Sequence, residues 1–189
     1  MLEKLPFVLG RVLRRVRPGL SRIVSARDGI RTAPTTIELA SSAFRAGEAM
    51  PARYTADFGG EYFSPPLAWS NVPEGALTLA LIVEDADSPT PYPLVHAIAA
   101  GLPATAGGIE EGDLVWHESH LALGRNSFLK LGWMPPDPPP GHGVHRYVFQ
   151  LFALDYVPEL SSPLGRSAIA HAVRNHTLAR GVLIGTYRR

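Results

Sequence analysis

Residues 139–149 read "PPGHGVHRYVF": a proline and glycine run gives way at once to aromatic and branched residues. Such residues suit a pleated, half-buried surface, so "VHRYVFQLFALD" over 144–155 predicts a strand. Successive strand residues face opposite ways, which places His145, Tyr147, Phe149, Leu151 and Ala153 on one face. Arg146, Val148, Gln150, Phe152 and Leu154 take the other. Both faces are apolar beyond Tyr147, the pattern of a strand buried between two layers. Chemistry is confined to its first few residues, where the Pro/Gly loop ends.

Working outward, "TIELAS" (36–41), "LTLALIVED" (77–85) and "LVHAIAAGLP" (94–103) read as further strands, and "VLIGTY" (182–187) as a last one. Between Leu102 and His145 lie roughly forty residues of weak periodicity, a length that in a compact domain usually carries function. "SPLGRSAIAHAVRNHTLARG" (162–181) predicts a helix, with Ser162 as N-cap, Pro163 in the first turn and Gly181 past its end. Apolar positions at Leu2, Leu5, Val8, Leu9, Val12, Leu13 and Val16, with arginines between, predict an amphipathic amino-terminal helix that Pro6 and Gly10 weaken.

The chain of 189 residues suits one domain with a real core. Eighteen prolines and eighteen glycines favour turns and loops over long helices. With no cysteine there is neither a disulfide nor a thiolate nucleophile. Charge divides the chain: residues 1–31 hold eight Lys/Arg against two Asp/Glu, the remainder ten against fifteen. A basic arm (1–34) therefore precedes a mildly acidic domain (35–189), and a nucleic-acid groove on that domain is disfavoured. Three readings of the arm compete: packing on its own domain or a second subunit, peripheral membrane contact through residues 2–17, and disorder or a protein partner. No apolar run approaches the roughly 20 residues of a membrane span, and arginines interrupt every stretch that could serve as a signal peptide. A cytoplasmic protein is expected.

Acids crowd the end of the strand over 79–83, where Glu84, Asp85 and Asp87 precede Pro89, Pro91 and Pro93. They must cap backbone amides, bind cations or pair with His or Arg. His96 then stands in an otherwise apolar strand, and a buried imidazole needs partners for its nitrogens, for which an aspartate is suited.

Five segments, "SPPLAWSNVPEG" (64–75), "DADSP" (85–89), "LVHAIAAGLP" (94–103), "GRNSF" (124–128) and "PPPGHGVHRYVFQLFAL" (138–154), together resemble the phosphatidylethanolamine-binding protein family, most closely its bacterial Raf kinase inhibitor-like branch. The resemblance spans roughly Ile37 to Tyr187; its weight lies in the combination of D-x-D-x-P, V-H and G-H-G-x-H-R-Y, since each piece alone is weak. It implies a mainly β protein: an antiparallel β-sandwich with a few short helices, one near the carboxyl end besides the amino-terminal amphipathic helix. It also implies one small anion-binding pocket. By motif match its residues are Asp85, His96 and His145, with Tyr147 on the wall, Pro138 and Pro139 at the rim, and Asp87 bonding either ligand or turn. Two imidazoles and a phenol are expected to donate to a phosphate or carboxylate oxygen, while Asp85 orients a ring. In "LGWMPPDPPPGHG" (131–143) Trp133 and extra prolines depart from the family's loop, which reshapes the expected rim.

The expected function is thus binding of a small anion or phospholipid headgroup, with a regulatory role resembling that of kinase or protease inhibitors of the family. The alternative is an acid–base enzyme acting on a small anionic or carbonyl substrate through the Asp–His pocket; catalysis is the less favoured of the two. Neither G-x-S-x-G nor a P-loop is present, and no cofactor is expected. His117-x-x-His120 and His142-x-x-His145 have a spacing open to metal ligands, yet neither is H-E-x-x-H and no metal is expected. Further expected partners are a protein and, through the arm, a second copy of the chain.

Overall fold

A computed structural model describes residues 6–59, 62–115, 119–158 and 164–189. The predicted central strand is β7 (His145–Leu154). It lies in a five-stranded antiparallel sheet ordered β6-β4-β3-β7-β8, with β3 Thr78–Asp85, β4 Leu94–Leu102, β6 Ala122–Leu123 and β8 Thr177–Tyr187. A three-stranded antiparallel sheet of β1 (Glu38–Ala40), β2 (Leu67–Ser70) and β5 (Gly107–Ile109) packs against it. The chain is mainly β and sandwich-like, as expected.

Alternation explains the layers. On the front face Leu79, Leu81, Val83, Tyr147, Phe149 and Leu151 share one core with Leu39, Leu67 and Trp69 of the small sheet. On the back face Ala80, Ile82, Phe152 and Leu154 meet α2 (Arg166–Val173) through Ile169 and Val173. Val24 and Ile30 complete that back core. The segment from Leu20 to Ile30, which charge alone assigns to the arm, is therefore a layer of the fold.

Glu84, on the back-facing side of β3, fastens this layer. It is fully buried and accepts from Val24 N (2.7 Å), Gln150 Nε2 (2.8 Å) and Arg166 Nε (2.6 Å). Gln150 in turn accepts from Ser25 N at 2.8 Å. One carboxylate thus ties the amino-terminal turns, β7 and α2 together.

The helix expected over 162–181 is shorter than its signals. Ser162 and Pro163 lie outside the described residues, and α2 ends at Val173. Asn175 then takes a left-handed conformation (φ 62°), and β8 starts at Thr177. Gly181 is a strand residue, not a helix stop: it faces Ile37, where a Cβ would come within 3.0 Å of the Ile37 carbonyl oxygen. Pairing of β8 with β7 over ten register positions outweighs the local helical propensity of 177–181.

The amino-terminal helix exists as α1 (Phe7–Leu13); Leu2 and Leu5 lie outside the described residues. Pro6 starts it, its carbonyl accepting from Leu9 N and Gly10 N. Gly10 is the contact point, since a Cβ there would lie 2.0 Å from the Pro140 carbonyl oxygen. Among the described residues no helix is long and apolar enough to cross a membrane.

Candidate functional site

Antiparallel order gathers the end of β3, the starts of β4 and β7 and the end of β8 at one end of the large sheet. Asp85 pairs there with Leu94 on one side and Tyr147 on the other. On β4 the register jumps, Ala97 opposing Val83 while Val95 opposes Glu84, so His96 is the extra residue of a bulge. A bulge re-aims a side chain. The His96 backbone and ring both engage Met134: Met134 N donates to His96 O (2.7 Å), and His96 Nδ1–H donates to Met134 O (2.6 Å).

That commitment decides what His96 can do. Burial pulls its pKa below the ordinary 6.5, the charge of Asp85 opposing, so the ring is neutral. With Nδ1 protonated toward a carbonyl, Nε2 carries a lone pair. It is buried and has no hydrogen-bond partner among the described residues. Such an orphan costs about 1–3 kcal/mol. Tyr147 meets the His96 ring edge-on at 5.0 Å; burial, then Asp85, push its phenol well above the ordinary 10, so it keeps its proton.

His145 is spoken for on both sides. Its Nδ1 lies 2.8 Å from Asp85 Oδ2, and its Nε2 lies 2.7 Å from His142 Nδ1. His142 Nε2 donates to the Leu13 carbonyl of the arm at 2.9 Å. The row Leu13–His142–His145–Asp85 ends in an acceptor at both ends, so its three bonds need three protons, and two neutral imidazoles supply two. Burial, then neighbouring His145, hold the pKa of His142 down.

The expected anion pocket therefore differs from its sequence reading. Neither imidazole has an N–H free for a ligand, because His145 is bonded at both nitrogens and His96 presents a lone pair. A cavity of about 20 Å³, the room of a single water, is lined by Asp85, Leu94, His96, Phe128, Met134, Pro135 and Asp137. His145 reaches it through Asp85, and Tyr147 flanks His96. Pro139 does not line it: Pro139 is buried and its carbonyl accepts from His142 N (3.1 Å), so Pro135 is the rim proline. Asp87 is also turned away. It takes two bonds from the Arg146 guanidinium (2.7 and 2.8 Å) and one from Arg146 N (2.9 Å), with Arg17 at 3.1 Å. Burial pushes its carboxyl up, but these bonds outweigh it and hold the pKa below the usual range.

Met134, Pro135 and Asp137 were legible only as part of an unusual loop, and Phe128 only as part of "GRNSF". Asp137 pairs with Arg189 near the chain's end, a partner at a sequence distance no motif reveals. Of the spaced histidines, His117 lies outside the described residues and His120 is exposed. His142 and His145 turn their facing nitrogens on each other. No group of three metal-ligating side chains exists among the described residues.

A family model described as phosphatidylethanolamine-binding protein matches residues 40–188. A UPF0098 protein of Methanothermobacter thermautotrophicus is 38% identical over 155 residues, covering 81% of this chain and 99% of its own. One from Aquifex aeolicus is 36% identical over 156 residues, with 81% and 89% covered. Among solved structures, a putative phosphatidylethanolamine-binding protein homolog from Chlamydia trachomatis superposes with a TM-score of 0.73 at 32% identity, covering 82% of this chain and 99% of that one. YbcL of E. coli, described as a member of the mammalian PEBP family, gives 0.72 at 26% identity, with the same coverage.

Proposed function

The chain belongs to the phosphatidylethanolamine-binding protein family, and from that premise we propose that it binds a small oxyacid ligand that brings its own hydrogen-bond donor. One observation carries this reading: the buried, unpartnered Nε2 of His96 at the wall of the cavity. A buried lone pair rewards a donor and penalises a bare anion. The two nearby carboxylates are each already paired, Asp85 with His145 and Asp137 with Arg189, so the site does not require a cation. A protonated phosphate monoester or carboxylic acid meets these terms, and so does phosphoethanolamine, whose ammonium also donates. The cavity must widen to take any of them, and the rim residues Phe128 and Pro135 are the groups that would move.

The test is ¹⁵N-detected titration of the histidine rings with inorganic phosphate, acetate and phosphoethanolamine. Nε2 of His96 is expected to leave the lone-pair region of the spectrum, while both nitrogens of His145 change little and His120 is silent. A His96 resonance indifferent to all three compounds sinks the proposal. Ranking them separates an acid proton from an ammonium as the donor.

The row His142–His145–Asp85 favours a second reading, acid–base catalysis, because it joins two imidazoles to a carboxylate that lines the cavity. That reading requires turnover lost in His142→Asn with ligand binding retained.

A further inference from the structure

We infer that the end of the molecule carrying the cavity docks on the surface of an anionic phospholipid bilayer, through α1 and the loop tip at Leu129. α1 packs on the loop that leads into β7. Arg17 bonds the carbonyls of His142 (2.6 Å) and Val144 (2.7 Å), and Phe7 lies against Gly141. This fixes α1 to the end of the sheet where β3 finishes and β4 and β7 begin.

Exposed apolar side chains collect there. Phe7, Val8 and Val12 on α1 are 61%, 70% and 71% exposed, because the face turned to the body is the one bearing Gly10. Leu129 is 72% exposed, at a turn beside Phe128 and the start of β4. Leu129 also sits at φ 61°, a left-handed conformation that costs a leucine energy, held by Asn126 Oδ1 bonding Phe128 N and Lys130 N. Asparagine or aspartate would take that conformation at lower cost.

Charge selects the occupant. Arg11, Arg14 and Arg15 are exposed among the valines of the arm, and Lys130 follows Leu129. Residues 1–31 are strongly basic, while the remainder of the chain is acidic. Apolar side chains interleaved with arginines on a surface helix, with an apolar loop tip flanked by lysine at the same end of the sheet, are what the boundary of an anionic bilayer rewards. Docking in this way would bring the cavity rim, Phe128 and Pro135, toward the headgroup layer.

The full chain would be sedimented with vesicles of phosphatidylcholine alone and of phosphatidylcholine mixed with phosphatidylglycerol. Binding is expected only to the mixed vesicles, and to fall away in about 0.5 M NaCl, where charges are screened beyond roughly 4 Å. Val8→Asp/Val12→Asp, and separately Leu129→Asp, are expected to weaken it about tenfold or more; an unchanged near-UV spectrum would show each variant folded. His96→Ala is expected to keep vesicle binding, so loss of the ligand site and loss of docking are told apart. The inference is overturned by absence of binding to the mixed vesicles, or by binding that both aspartate variants leave intact. It is equally overturned by a concentration-dependent dimer that Val8→Asp/Val12→Asp dissolves, with no vesicle binding; the arm would then be a contact between copies.

Discussion

At the scale of the residue, His96 sets one unpartnered nitrogen against one bonded carbonyl. Replacing it by leucine removes an orphan nitrogen worth about 1–3 kcal/mol, but strands the Met134 carbonyl at similar cost. The two changes nearly cancel, so urea unfolding of His96→Leu is expected to move by about 1 kcal/mol or less while ligand binding is lost; a loss of several kcal/mol would make His96 a structural residue. The pH dependence follows from the same burial. His96 and His142 both have folded pKa values below the ordinary 6.5, so the unfolded chain takes up protons first. Stability is full above pH 6.5 and falls as pH drops below it, by at most about 1.4 kcal/mol per pH unit for each group. Asp87, also depressed, adds a loss in the same direction further into acid, below its ordinary 3.8. Urea midpoints measured between pH 8 and 5 check this, and His142→Asn should flatten the slope; a midpoint that rises on acidification contradicts it. Sequence identified Asp85, His96, His145 and Tyr147 as neighbours, because alternation and motif order carry that information. It could not supply the donor and acceptor assignment, which depends on Met134 and Leu13, residues whose backbone carbonyls have no signature in their side chains.

At the scale of the element, strands were more legible than helices for a physical reason. β3, β4 and β7 are buried on both faces, so their composition alone marks them. β8 alternates buried and half-buried residues but contains Ala, Arg and two glycines, and its identity comes from its pairing with β7. α1 is the converse case. Gly10 reads as a weakness in a helix, and in isolation alanine would strengthen it by about 1 kcal/mol. Here a Cβ would collide with the Pro140 carbonyl, so Gly10→Ala is expected to lift α1 from the loop while leaving the sheet intact. Faster proteolysis within residues 6–17 at an unchanged urea midpoint would show this; resistance equal to the parent would mean that the loop yields instead. Glu84 makes the stronger claim. Glu84→Ala leaves the buried Val24 amide and the half-buried Arg166 guanidinium without this acceptor, a loss of about 3 kcal/mol. A loss under about 1 kcal/mol would mean that the back layer holds without its central bond.

At the scale of the whole molecule, the boundary that charge suggests and the boundary that packing draws lie at different places. The basic composition runs through Arg31, which is why sequence places the joint near residue 34. The core begins earlier, because Ile23, Val24, Ser25 and Ile30 are buried, and Ser25 N and Val24 N are spent on Gln150 and Glu84. Charge reports what faces solvent, and this segment keeps its arginines outside while its isoleucines and valine face the sheet. Two truncations separate the boundaries. Removing residues 1–17 deletes α1 and the Arg17 contacts but leaves Gly19 N bonded to the Ala86 carbonyl and Asp87 bonded to Arg146. That chain is expected to fold, with its stability lowered by a few kcal/mol at most, since the lost bonds lie at the surface or at its edge. Removing residues 1–34 uncovers Ile82, Phe152 and Ile169 and leaves Glu84 and Gln150 short of donors in a newly exposed face. Two emptied core positions at about 2–5 kcal/mol each approach the whole margin of a typical domain. Calorimetry is expected to show a cooperative transition for the first chain and none for the second. A cooperative transition for both would restore the joint to residue 34 and make the first strand layer, not the amino-terminal turns, the limit of the fold.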